Sequence, residues 1–339
     1  MKHGVRLMVV CVLSLGWGSL SAQIFPQLGG QRAGISALTP LKIEISPRAA
    51  ALGSANVCLT GDGYSAYTNP ATLDEIGGFH VAATHTTWAA GINYSYLSLS
   101  QQYRVGTFAF SVGGLNSGPM EVRTTFQPDG TGELFYAIYL TAAMSYSKRL
   151  TDQFSWGATA RVLHERLAEF TATTALVDLG FLYETDFKEL RFAVMLQNFG
   201  PNSTLSGTRQ VDTTFNPRVI SPDVYPAPTV FKLGVSMVPY RSEDNQHAIT
   251  TLLQLNHPND NAENLRVGVE YAYRQLLFFR AGYKINVKDQ RFPTAGLGLR
   301  MRLGRYPLML DYGFDPLEYL GVVHRMGLSL HIQPMETRE

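Results

Sequence analysis

At 339 residues, with 28 Lys and Arg against 27 Asp and Glu, the chain carries a formal net charge of +1, and its cations are scattered singly. That balance excludes a basic face for gripping a nucleic-acid backbone, so no nucleic-acid partner is expected. Length alone leaves two soluble domains or one large barrel open.

Residues 1–22 read as an export signal. Lys2, His3 and Arg6 precede a short apolar segment, 7–20, and the small-residue stretch Ser19-Leu20-Ser21-Ala22-Gln23, with cleavage expected after Ala22 or, next in line, after Ser21. The apolar segment is too short for a permanent helical anchor, and no later run reaches eighteen apolar residues. Cys11 lacks a lipobox-like run before it, so Cys58 is the single cysteine of the exported chain and no intramolecular disulfide can form.

Residues 23–78 form a lead-in of different composition. Pro47-Arg48-Ala49-Ala50-Ala51-Leu52-Gly53 opens a short helix, Gly61-Asp62-Gly63 turns the chain, and Ser65-Ala66-Tyr67-Thr68-Asn69-Pro70-Ala71 follows. Such a small-residue stretch between a signal and a barrel either folds inward as a hatch or runs as a plain periplasmic lead-in.

From 79 to 332 the alternate positions are apolar or aromatic, in segments near 79–87, 91–101, 104–114, 133–148, 153–166, 172–186, 189–198, 228–240, 245–256, 264–274, 276–287, 293–303, 307–314 and 321–332. The opposite positions carry Arg161, Glu165, Asp178, Arg191, Arg266, Glu270, Arg280, Lys284, Arg300, Arg302, Asp311 and Arg325. Period two places each set on one strand face. A soluble sandwich hides its apolar face, whereas a transmembrane barrel turns that face to lipid and shuts its charges in the lumen. The expected fold class is therefore all-β: a transmembrane antiparallel β-barrel of about 14 strands with a short N-terminal hatch and a polar tail, 333–339. Its place is the outer membrane of a Gram-negative bacterium, with membrane lipid as a partner.

The connections support this. With both chain ends placed on the periplasmic side, short links near 102–103, 149–152, 187–188, 241–244, 275 and 304–306 alternate with longer ones near 115–132, 167–171, 199–227, 257–263, 288–292 and 315–320. The tight link at 88–90 is the exception.

Chemistry has little foothold. No Gly-x-Ser-x-Gly elbow occurs, and His80 and His85, five apart, point to opposite faces of one strand, so neither a catalytic residue nor a metal site is assigned. No cofactor is expected. The oxygen-rich stretch His257 to Asn264 lacks the spacing of a calcium loop and reads as a turn. Gly296 and Gly298 lie in a strand and mark close packing or a kink instead of a phosphate cradle. More telling, Glu270, Arg280, Arg300 and Asp311 fall on four consecutive segments, where neighbours about 4.8 Å apart can stack into a charge ladder. Interleaved signs favour a brace across the lumen; the alternative is a selectivity lining for an anionic solute such as a fatty-acid carboxylate.

Several spaced motifs carry a family likeness. The run from Ser46 to Ala55, with Asp62 and Asn69-Pro70-Ala71-Thr72-Leu73, resembles the N-terminal signature of the PorV/PorQ family of outer-membrane barrels. Ala90 to Tyr94, Gln197 to Pro201, His257 to Asn261, Arg280 to Lys284 and Gly321 to Arg325 resemble it too. The likeness implies a fourteen-strand barrel similar to the FadL-type fatty-acid transporters, with a hatch that includes Arg48, Gly53, Asp62, Asn69, Pro70 and Ala71. It also implies a role in the type IX secretion system, where the PorV type binds the C-terminal signal of exported cargo and associates with the translocon. The last strand departs from the usual aromatic ending, closing on Leu330-His331-Ile332. The expected function is thus a non-enzymatic secretion accessory, with secreted cargo proteins or secretion-system subunits as partners. The alternative is a FadL-like channel for small hydrophobic solutes such as fatty acids.

Overall fold

A computed structural model describes residues 34–207, 209–211, 218–220, 224–288 and 290–332. The export signal with its cleavage site and the polar tail 333–339 lie outside the described residues.

Fourteen strands close one cylinder. They are β1 (Phe79–Thr87), β2 (Asn93–Tyr103), β3 (Gly106–Asn116), β4 (Ala137–Thr151), β5 (Phe154–Leu167), β6 (Phe170–Glu184) and β7 (Arg191–Phe199). The second half comprises β8 (Val230–Arg241), β9 (His247–Pro258), β10 (Asn264–Tyr273), β11 (Leu277–Ile285), β12 (Thr294–Leu303), β13 (Tyr306–Leu317) and β14 (Gly321–Ile332). Each strand pairs antiparallel with its sequence neighbour, and β14 pairs back onto β1 from Phe79↔Ile332 to Thr87↔His324. Closure leaves no sheet edge with unpaired backbone, which a hydrocarbon environment demands.

The alternation resolves as expected from period two. On β3, Phe108, Phe110 and Val112 face out while Ala109 and Ser111 are buried; on β4, Leu140 and Met144 face out while Thr141, Ala143 and Ser145 are buried. Arg161, Glu165, Asp178, Lys232, Glu270, Arg280, Asp311 and Arg325 are buried in the lumen. An apolar exterior around a charged interior is the outer-membrane arrangement. One segment differs from its expected extent. Within 133–148, Leu134–Phe135 pairs with Met120–Glu121 in a small hairpin of the outer loop, and the barrel strand starts at Ala137. The Ala137 N–H donates to the Ser117 hydroxyl at 2.9 Å, which separates the two elements.

The described part of the lead-in, from residue 34, fills the lumen and starts at its long-loop end. The Ala37 N–H donates to the Pro226 carbonyl at 3.0 Å, and Asp260, in the β9–β10 turn, accepts from Ser36 and pairs with Lys42. Those partners belong to the long-loop end. The chain then descends through a 3-10 turn (Thr39–Lys42), α1 (Pro47–Ala51), α2 (Ser65–Thr68) and a second 3-10 turn (Pro70–Glu75). At the short-turn end Asp74 accepts from Thr107 at 2.8 Å and Glu75 pairs with Arg149, after which β1 begins. The start of β1 and the end of β14 thus lie at the short-turn end of the cylinder, and the first described residues at the long-loop end. Nothing in the composition of 34–43 encodes depth; its tie to Asp260 is a tertiary contact.

What lets a peptide chain lie against the inner wall is a row of residues without side chains. A Cβ on Gly157 would sit 2.5 Å from Pro70, on Gly180 2.0 Å from Asn69, on Gly282 2.1 Å from Gly53, and on Gly313 2.5 Å from Pro47. Gly296 serves the same purpose opposite Ala51, at 2.4 Å. Glycine in a strand marks such close backbone approach. Leu41, Ile43, Ile45, Tyr64 and Tyr67 of the hatch meet Tyr94, Tyr96, Tyr139, Leu163 and Leu176 of the wall, so the barrel's apolar core lies between hatch and strands.

Candidate functional site: the plugged lumen

The hatch motif residues each have a structural task. Ser46 caps α1, its hydroxyl accepting the Ala49 N–H at 3.2 Å, while Pro47 supplies the fixed φ of a first helical turn. Asp62 accepts from the Ser46 hydroxyl at 2.8 Å and from the Tyr64 N–H at 3.3 Å, so it ties the start of α1 to the approach to α2. Burial pushes its carboxyl up to about 6, against the opposing pull of Arg48. Gly53, with φ +67°, donates its N–H to the Thr294 hydroxyl at 3.0 Å. Asn69 donates to the Val57 carbonyl at 2.7 Å and accepts the Ala71 N–H at 3.1 Å, which starts the second 3-10 turn at Pro70. The Ala71 carbonyl accepts from Ser147 at 3.3 Å.

Arg48 carries the strongest contact. Its guanidinium forks onto Glu270, Nε to Oε2 at 2.9 Å and Nη2 to Oε1 at 2.7 Å, and Nη1 donates to the Thr60 carbonyl at 2.9 Å. Arg280 takes the same carboxylate at 2.6 Å and reaches Asp311 at 2.5 Å. Glu270, Arg280 and Asp311 thus meet on β10, β11 and β13, and the chain of charges runs Arg48, Glu270, Arg280, Asp311.

Arg300 stands apart from the other three. In the register Gly298 lies opposite Asp311, and Arg300 lies opposite Met309, two residues nearer the short-turn mouth. Its guanidinium rests over the Phe278 ring at 5.2 Å, and among the described residues it forms no ion pair. The expected ladder position on β12 is occupied by glycine, and the fourth member comes from the hatch.

Sequence reasoning named Arg161, Asp178, Lys284 and Arg325 as lumenal without grouping them. Arg161 and Asp178 pair at 2.7 Å on β5 and β6, with Asn198 bonded to both. Lys284 meets Asp315 at 2.8 Å and Arg325 lies 3.6 Å from the same carboxylate. Asp315, expected in the connection 315–320, belongs to β13, where its Tyr-Gly-Phe-Asp setting continues the alternation and turns it inward. Lys232, Glu44, Asn56 and Gln254, also unassigned, form a buried polar group: Lys232 Nζ donates to Asn56 Oδ1 at 3.1 Å, Asn56 to Glu44 at 2.6 Å, and Gln254 accepts the Asn56 and Val57 N–H groups at 2.7 and 2.8 Å.

Cavities border this machinery. Between hatch and short-turn mouth is a polar vestibule of about 870 Å³ that includes Arg48, Asp62, Glu270, Arg280, Arg300, Arg302 and Asp311. Between hatch and outer mouth is a smaller pocket of about 170 Å³. A third is an apolar groove of about 590 Å³ on the wall, lined by Leu277, Phe279, Leu297, Leu299, Leu310, Tyr312 and Met326, with Gly298 and Gly327 at its floor. Its lining crosses four strands, β11 to β14, and at one side takes in the β11–β12 seam, the shortest ladder of the barrel, which pairs only 277–282 with 294–299. Among the described residues no group of three or more His, Cys, Asp or Glu is placed to hold a metal. Asp260, in the oxygen-rich stretch His257 to Asn264, is engaged by Lys42 and Ser36.

A closed fourteen-strand cylinder, greasy outside and charged inside, with a hatch threaded through it, defines an outer-membrane barrel of the FadL-like fold. Comparisons bear on which one. No protein-family model and no curated protein matches the chain. Among solved structures, the Pseudomonas putida toluene transporter TodX is similar at 14% identity and a TM-score of 0.58, covering 85% of this chain and 97% of that one. The Ralstonia pickettii toluene transporter TbuX is similar at 12% identity and 0.54, covering 84% and 97%. The CymD monoaromatic hydrocarbon channel is similar at 14% and 0.53, covering 86% and 98%. At such identities the likeness is one of fold.

Proposed function

We propose that this barrel is a non-enzymatic conduit for small hydrophobic solutes across the outer membrane. The observation that carries the reading is the apolar groove of about 590 Å³ lying over the shortest inter-strand ladder. The hatch occupies the axial route, so a solute leaving the lumen would part β11 from β12 and meet lipid at Phe279, Leu297 and Tyr312. The neighbours TodX, TbuX and CymD, described as a toluene transporter in two cases and a monoaromatic hydrocarbon channel in the third, support a hydrophobic cargo.

A staple across the seam tests it. Ala281 and Ala295 are directly paired and face out, and Cys58 is buried away from them. The double substitution Ala281→Cys and Ala295→Cys, oxidised, is expected to cut uptake of radiolabelled toluene several-fold in cells lacking their own hydrophobic channels, with recovery on reduction. Uptake indifferent to the staple rejects the seam as the exit. No uptake by the unmodified protein rejects the conduit.

A second reading keeps the barrel as a PorV-like secretion accessory that holds exported cargo or secretion subunits on its outer loops. The Ser46 to Ala55, Asn69-Pro70-Ala71 and other spaced motifs favour it, as does the charge-locked hatch, since a docking barrel needs only a sealed interior. Recovery of C-terminal signal domains or a large translocon subunit with the detergent-solubilised barrel is the outcome that would put this reading first.

A further inference from the structure

The pocket of about 170 Å³ above the hatch holds more positive charge than its surroundings neutralise. Its charged lining residues are Lys42, Glu44, Lys232, Asp260 and Arg266. Lys42 and Asp260 pair with each other. Glu44 is hydrogen-bonded only by neutral donors, the Asn56 amide at 2.6 Å and the Ser46 N–H at 3.2 Å, so it sets one carboxylate against the two remaining cations, Lys232 and Arg266. Lys232 is only 6% exposed, and of its three N–H donors one is used, on the Asn56 amide oxygen. Arg266 donates to Asn264 at 3.2 Å and to the Ser54 carbonyl at 3.1 Å, neutral oxygens both. Neither forms an ion pair among the described residues.

Two buried cations that touch only amides and carbonyls, with a single carboxylate nearby and none in contact, leave one positive charge over, and proteins normally offset such a charge with a paired carboxylate. The wall elsewhere does so: Arg161 has Asp178, Arg280 has Glu270 and Asp311, Lys284 has Asp315. The exception coincides with a cavity. Its remaining lining is amide-rich, with Gln197, Asn198, Asn256 and Asn264.

We propose that this pocket binds a small hydroxylated organic anion reaching it from the cell exterior, with its carboxylate or phosphate on Lys232 and Arg266 and its hydroxyls on the amides. The cavity admits a small molecule and not a polymer. Being closed below by the hatch, it captures its ligand whether or not the wall conducts hydrophobic solutes.

Purified full-length barrel in detergent is titrated calorimetrically with gluconate, inorganic phosphate and glucose. Gluconate is expected to bind more tightly than phosphate, which offers the charge without the hydroxyl chain, and glucose at least tenfold more weakly than gluconate. Lys232→Met and Arg266→Gln are each expected to weaken gluconate at least tenfold, while Arg302→Gln, at the opposite mouth, leaves it unchanged. Without ligand, Lys232→Met is expected to melt no lower than the parent, because it removes an uncompensated charge. Arg266→Gln repeats the binding test at the second cation. The proposal is overturned if no anion binds, if glucose binds as well as gluconate, or if the folded variants bind gluconate like the parent. A sharply lowered melting temperature for Lys232→Met also counts against it, since the lysine would then be a structural brace.

Discussion

The lumen below the hatch and the lumen above it treat charge differently. Below, Glu270 is shared by Arg48 and Arg280, and Asp311 completes the row, so every carboxylate of that row is claimed by a guanidinium. Above, Lys232 and Arg266 face neutral oxygens around an open pocket. Charge in the lower row holds the hatch to the wall; above, beside paired groups such as Lys42–Asp260 and Lys284–Asp315, two cations are left without a carboxylate in contact. The contrast separates ionic groups that specify structure from ionic groups kept for a ligand, in a single barrel and a few strands apart.

Breaking the lower row at its centre has the largest expected effect. Glu270→Gln leaves Arg48 and Arg280 buried beside a neutral amide, a loss of about 3–5 kcal/mol, read from the urea midpoint in detergent. If the midpoint hardly moves, the row is not what secures the hatch.

Next in size is a pH effect at Asp62. In the folded chain its carboxyl titrates at about 6, above the ordinary 3.8. The folded state therefore keeps a proton that the unfolded chain has already released, so this contribution is full below about pH 4 and is lost as pH rises through about 6. The difference amounts to ~3 kcal/mol. Hydrogen-exchange protection across 46–64, taken relative to the intrinsic amide rate at each pH, is expected to be higher at pH 5 than at pH 7.5, and Asp62→Asn is expected to flatten that dependence.

Arg48→Met removes one of the two cations on Glu270 and spares the other, so about 2 kcal/mol is expected. Its readout is faster proteolysis within 44–63 while the strands stay protected. Arg300→Ala has the smallest expected effect, within about 0.5 kcal/mol in the same urea assay, because the side chain is exposed and unpaired. A larger loss would return Arg300 to the row from which the register excludes it.

These outcomes also mark what the sequence made legible. Strand number and the inward set of charges followed from period two, because a one-residue slip would turn every side chain to the wrong side. Glu270, Arg280 and Asp311 could be grouped because they share a face on nearby strands. Arg300 was misplaced since parity fixes the face of a residue but not its height along the axis; that needs the register of β12 on β13. Arg48 was tied to the hatch by motif alone, and its partner lies 222 positions away. Lys232 carries no such signal, being a single cation within the apolar run 230–240. The depth of 34–43 was likewise invisible, set by Pro226 and Asp260 and by no local pattern.

That last feature bears on how the protein is made. A chain whose first described residues lie under the outer loops, and whose next forty run down the bore before the first strand starts, has its own leading portion enclosed when β14 zips onto β1. A cylinder shut beforehand would have to be re-threaded along a passage that this peptide alone fills. Biogenesis is thus expected to wrap the wall around its filling, making the β1–β14 ladder the final stitch, and a chain lacking 34–75 would close, if at all, around water.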